Sequence, residues 1–309
     1  MRTFTVMPLF LLALCAVATG GWHQVSRSPS ETYLDVFFVD AKTGWASSWG
    51  GGIFKTTDGG QSWSRQESGE KYEWMNSIYF TDASSGWIAG GDGRIYSTKN
   101  GGITWEKNSF EGAGFEGICF ADSHGWLVGK GGGIMHTDDG GRSWNPQHSG
   151  VDKLLMDIHF PDARTGYAVG IEGIVLKTTD GGRSWRKLDA GTSALLYAVR
   201  FVSPEHGWIG GRNGVLLVTE NGGKNWQPAW QGSEEEIDDI FFIDAEHGWA
   251  VGGSVQNGQF ILNTVDGKTW RRQDVEAVNW WECVHFIDKD VGYIGGNNGV
   301  IMKTVDGGR

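Results

Sequence analysis

One short string recurs along this chain and limits what it can fold into more than any other feature. Thr56 to Trp63 reads TTDGGQSW, and close copies start at Thr98 (TKNGGITW), Thr137 (TDDGGRSW), Thr178 (TTDGGRSW) and Thr219 (TENGGKNW). A copy shortened by one residue starts at Thr264 (TVDGKTW), and a last one, TVDGGR, runs from Thr304 to Arg309. The leading threonines stand 39 to 45 residues apart, a period that belongs to solenoids and propellers.

One period read in full separates these two. In the fourth, LLMDIHF (154–160) alternates as a strand, PDART turns, and GYAVG (166–170) is a second strand. A turn at 171–173 leads to IVLKT (174–178), the Thr-Asp-Gly-Gly string turns again, and SWRKL (184–188) is the fourth strand. No segment carries a helical period of useful length. Four antiparallel strands per period of about 41 residues make a propeller blade. The sequence therefore predicts an all-β, seven-bladed propeller over residues 19–309. The seventh period lacks its tryptophan and fourth strand, while GWHQVSRS from Gly21 matches the segments that follow the other turns. Trp22 to Arg27 is thus expected to be the outer strand of blade seven, closing the ring and hiding sheet edges.

The repeated turn reads as architecture. Asp58, Asn100, Asp139, Asp180, Asn221, Asp266 and Asp306 hold the acidic or amide position, where a side chain accepts hydrogen bonds from nearby turn amides. The glycines supply positive φ angles. The tryptophan is expected to pack against the neighbouring sheet and give its N–H to a backbone acceptor. A phosphate loop wants a lysine and a following helix, and a calcium loop wants more oxygen ligands than one per copy. Neither is present, and no metal or cofactor is expected.

Charge and termini narrow the partners. The 309 residues carry a formal net charge of −11, so the basic surface of a nucleic-acid binder is absent. Residues 1–18 read as an export signal, with Arg2 before a mostly apolar run from Val6 and the small residues Ala16 and Ala18 at its end. The run is too short for a membrane span, so the mature chain is expected to be exported, to the periplasm or beyond, with no span of its own and as a monomer. Cys119 and Cys283 fall in hydrophobic strands and read as buried thiols.

Thr-x-Asp-Gly-Gly-x-x-Trp is the Asp-box, or bacterial neuraminidase repeat. With the approach to each box, as in FTDASSGWIAGGDGRIYST (80–98), the chain most resembles the photosystem II stability and assembly factor family of Asp-box propellers. That resemblance implies a non-enzymatic factor that holds a protein partner, a membrane-protein complex under assembly, and a thylakoid-lumen location in a phototroph. The competing class is a sialidase-like glycoside hydrolase or glycan-binding propeller. Its chemistry needs three arginines and a tyrosine–glutamate pair in the central well. Arg94, Arg200 and Arg212, with Tyr72 or Tyr197, are the nearest approach. His124, His206 and His247 share one repeat position on different blades, and His159 and His285 share another, so neither set is expected to bind one metal. Glu234 to Glu236 reads as a solvated charge run.

Subtracting the repeat leaves the binding candidates. Of 17 tryptophans, seven complete boxes and five follow the glycine of a second strand, where Tyr167 and Tyr293 substitute. Trp49, Trp74, Trp230, Trp280 and Trp281 remain. They fall in the second-to-third-strand and blade-to-blade loops, which emerge on one face of an up-and-down meander. The same face carries extra length at 70–76, 108–117, 229–239 and 275–282, where the aromatics have acidic neighbours, the make-up of a recognition surface. Tyr72, Phe115, Arg94 and Arg212 join the tryptophans as candidate binding residues there.

Overall fold

The computed structural model describes residues 21–28, 30–69, 74–231, 235–254, 258–273, 275 and 280–309. They form seven four-stranded antiparallel sheets arranged as a propeller. Blade four carries strands Leu155–His159, Gly166–Gly170, Val175–Thr178 and Arg186–Leu188, close to the boundaries read from its alternation. Trp22–Arg27 lies antiparallel to Val300–Thr304, with Trp22 opposite Thr304 and Arg27 opposite Val300. The ring is closed by the chain's beginning, as the sequence predicts.

An aromatic ladder runs across all seven blade interfaces and explains the recurring Phe, Gly-Trp and box Trp. A phenylalanine stands at or beside the end of each inner strand, and the second-strand ring of the preceding blade lies flat on it. Trp45 stacks on Phe80 at 3.5 Å, Tyr167 on Phe201 at 3.5 Å, and Tyr293 on Phe38 at 3.7 Å, which joins blade seven to blade one. The box tryptophan of the same blade meets that phenylalanine edge-on, as Trp63 does Phe38 at 5.9 Å and 88°. Trp22 takes this place in blade seven, edge-on to Phe286 at 5.8 Å. The glycine before each second-strand aromatic lies under its own blade's phenylalanine, where a Cβ at Gly44 or Gly166 would overlap the ring. Glycine is required there by close approach rather than by φ.

The box is a hydrogen-bonded turn. Thr178 Oγ1 accepts from Gly182 N at 2.9 Å and donates to Asp180 Oδ1 at 2.7 Å. Asp180 also accepts from Ser184 N at 2.9 Å and Ser184 Oγ at 2.6 Å. One expectation is corrected. The box indoles do not donate to backbone: Trp22 Nε1 and Trp185 Nε1 donate to the side chains of Gln273 and Gln147. Four of the seven second-strand aromatics instead reach the next blade's box: Trp45, Trp126 and Trp249 Nε1 donate to Gly101, Gly181 and Gly307 O, and Tyr293 Oη donates to Gly59 O at 3.0 Å. Lying flat on the phenylalanine points their polar edge at that turn, whereas the edge-on box indole spends its edge on the ring.

Candidate functional site

The channel mouth is built by an irregularity repeated seven times. In every blade the register between first and second strands slips by one residue near the start of the inner strand, as between Tyr33 and Asp35 or Ile237 and Asp239. Such a bulge turns an extra side chain out of the ladder. The seven extra residues are Leu34, Asn76, Glu116, Met156, Tyr197, Asp238 and Glu282, and all line one cavity of about 280 Å3. Three of them are acidic and, among the described residues lining this cavity, none is basic. Burial pushes the Asp238 carboxyl up to about 8, helped by the Glu282 charge, and holds Glu282 up to about 7.

Below the mouth, Asp35, Asp157 and Asp239 tie neighbouring blades together. Asp157 accepts from Ile158 N at 2.7 Å and from Val199 N of the next blade at 2.8 Å. Asp35 and Asp239 repeat this with Ile78 and Val284. Deeper still, Arg200 lies over the Phe241 ring at 4.6 Å, beside His159 and His285. These two imidazoles, from equivalent positions in blades four and seven, face one channel, because inner strands of non-adjacent blades converge on the axis. His159 Nδ1 accepts from Phe201 N and His285 bonds to Phe38 O. Among the described residues no group of three metal-binding side chains comes together.

The structure sorts the predicted site residues. Trp49 and Trp74 are brought together, 56% and 53% exposed, with ring centroids 6.2 Å apart. Trp280 is half-buried at the mouth and donates to Asp238 Oδ2 at 2.8 Å. Trp230 is half-buried against the core of blade six. Trp281 and Phe115 leave the binding set, because both are buried between blades at 0% and 2% exposure. Tyr72 lies outside the described residues. Arg94 pairs with Asp92 at 2.6 Å. Arg212 donates to Glu236 Oε1 at 3.0 Å and to Tyr197 Oη at 3.1 Å, and Tyr197 donates to Glu236 Oε2 at 2.9 Å. Glu235 is buried and paired with Arg272, not solvated as the charge run suggests, while Glu234 lies outside the described residues.

The tyrosine–glutamate–arginine cluster lacks the three-arginine arrangement that the sialidase-like reading calls for. Burial and the Glu236 carboxylate push the Tyr197 hydroxyl up to about 12, away from nucleophilic use. The three arginines are dispersed: one on Asp92, one deep in the channel, one at the mouth.

A family model described as photosynthesis system II assembly factor YCF48 matches residues 68–150 and 142–231, over half of the chain. The chain belongs to this family. Among solved structures, YCF48 from Cyanidioschyzon merolae is similar at 20% identity and a TM-score of 0.73, over 92% of this chain and 98% of that one. A structure described as YCF48 bound to D1 peptide is similar at 21% identity and a TM-score of 0.76, over 94% and 98%. The GH74 xyloglucanase from Xanthomonas campestris shares the fold at 13% identity and a TM-score of 0.72, over 94% of this chain but 54% of the enzyme. No curated protein matches by sequence. Family membership makes this YCF48-family chain a protein-binding, assembly-factor propeller, consistent with a non-enzymatic role.

The sequence places acidic neighbours on this rim only as segments and does not single out the acidic members of the bulge ring. Glu116, Asp238 and Glu282 occupy one position when the seven inner strands are aligned, and that alignment is the signal that finds them.

Proposed function

We propose that the chain is an exported, non-catalytic assembly factor that holds a segment of a membrane-protein complex on its loop face. The observation that carries this reading is the exposed Trp49–Trp74 pair beside the channel mouth, on a scaffold of a family named for assembly. Indoles of this size left in water mark a contact surface, and rigid aromatic anchors supply most of the affinity in such interfaces. The relative described as bound to D1 peptide supports a peptide segment as the thing held. Export rests on the N-terminal signal read from residues 1–18.

Photocrosslinking from residue 49 or 74 in envelope membranes, followed by mass spectrometry, identifies the partner. Trp49→Ala with Trp74→Ala should then weaken binding of that purified partner by about 2–4 kcal/mol, with unfolding unchanged. Unchanged affinity in the double variant refutes the loop-face reading. Hydrolysis of a sialoside or xyloglucan reporter refutes the non-catalytic one, and an uncleaved N-terminus on the chain recovered from cells refutes export through a removable signal.

A further inference from the structure

The exposed indole pair and the acidic mouth are one continuous surface. A methyl group at Gly91 would meet Asn76 Nδ2 at 3.1 Å and Trp74 Cβ at 3.3 Å, so the tryptophan and the bulge ring flank the same glycine. Asn76 in turn donates to Glu116 Oε2 at 2.7 Å, which carries the surface from indole to carboxylate. Across the mouth, Asp238 accepts from Trp280, while Glu282 accepts no hydrogen bond and pairs with no cation among the described residues. Arg212 stands nearby but is committed to Glu236 and Tyr197.

We propose that this surface selects an extended peptide carrying a lysine or arginine next to an apolar residue, the basic side chain entering the mouth between Glu116, Asp238 and Glu282 while Trp49 and Trp74 hold its neighbour. The inference rests on the loop-face reading and adds the chemistry of what is held. Charge decides the sign: burial, and for Asp238 the neighbouring Glu282, disfavour the ionised carboxyls of the mouth, an entering cation stabilises those ionised forms, and an acidic peptide opposes them. Shape decides the kind of cation. The three carboxylates come from blades three, seven and six, and no three metal-binding side chains of the described residues converge on one point. A dispersed set suits the spread donors of a guanidinium or an ammonium on a long stem. The cavity holds roughly nine waters' volume, taking about 30 Å3 for each, which accommodates such a side chain.

A random heptapeptide library displayed on phage and panned on the full mature chain tests this. Enriched peptides should carry a basic residue adjacent to an apolar or aromatic one. Synthetic copies should bind at least about tenfold more weakly to a Glu116→Gln, Asp238→Asn, Glu282→Gln variant. A charge-matched control, Glu106→Gln, Glu205→Gln, Glu220→Gln, neutralises exposed carboxylates away from the mouth and should bind as wild type. Equal loss in both variants means attraction to net charge alone and overturns the proposal. Winners without a basic residue that still depend on Trp49 and Trp74 also overturn it, yet leave the loop-face reading standing. Winners indifferent to both sites, or no enrichment at all, overturn the two together. Calcium binding through Glu282 that displaces every winner overturns it in favour of a metal site.

Discussion

The ring is closed by a strand from the far end of the sequence, and the strength of that seam can be worked out from one residue. Trp22 stands edge-on to Phe286 at 5.8 Å and its Nε1 donates to Gln273 Oε1 at 2.8 Å. Complete burial of a tryptophan makes truncation to alanine cost about 3–5 kcal/mol, and Trp22 is half-buried, which brings its share to about 2–3. The lost hydrogen bond adds about 1 at most, since Gln273 keeps its bond to Gly307 O. Trp22→Ala should therefore cost about 3 kcal/mol. Trp63 supplies the matched control, because it is half-buried, edge-on to Phe38 at 5.9 Å, and covalently continuous with its blade. Trp63→Ala should cost about 2–3 kcal/mol. The assay is urea denaturation of both variants and wild type, followed by far-ultraviolet circular dichroism and by tryptophan fluorescence, so that a ring opening before global unfolding shows as a split between probes. A loss below about 1 kcal/mol for Trp22→Ala beside a full loss for Trp63→Ala would refute the claim that the non-covalent seam carries the same load as the others.

Three further outcomes follow from the same geometry. Asp180→Ala strips the acceptor from Ser184 N and from the Thr178 and Ser184 hydroxyls, and should lower stability by about 1–2 kcal/mol in urea titrations without changing peptide binding. The channel aspartates and histidines pull stability in opposite directions: burial lifts Asp35 to about 7 and Asp157 to about 6, so their share falls as pH rises from about 4, while burial holds His159 well below its usual value and His285 down to about 3, so theirs rises up to about pH 6.5. Asp35→Ser, copying Ser77 at the same place in blade two, removes one falling share, so the stability of the variant relative to wild type should rise with pH between about pH 4 and 7 by up to about 1.4 kcal/mol per pH unit in urea titrations. Cys119 and Cys283 are buried with thiols pushed up by burial, so a mature chain should react with an aromatic disulfide reagent only after unfolding, and prompt labelling of the native protein would contradict their placement.

What was legible in the sequence was whatever the repeat had to write seven times. The phenylalanine, the glycine beneath it, the flat aromatic and the box each solve a packing problem that recurs at every interface, so their spacing revealed blade count, strand order and the closing role of Trp22. The site was less legible because it is made where the copies differ. Subtraction found Trp49 and Trp74, whose exposure no blade requires, but it also admitted Trp281 and Phe115. Those two occupy the place held by Tyr33, Met75, Leu155, Leu196 and Ile237, all large and buried, so the inner-strand alignment assigns them to the core. Alternation then failed at the next residue. A regular strand puts neighbours on opposite faces, and the bulge breaks that rule, turning Asp238 and Asp239 into the same channel. The acidity of that rim was legible in its segments, but which carboxylates turn into the mouth was not, because they stand on strand residues that alternation could not place. A recognition surface here is the sum of both: indoles that the repeat leaves over, and carboxylates that its one irregularity turns inward.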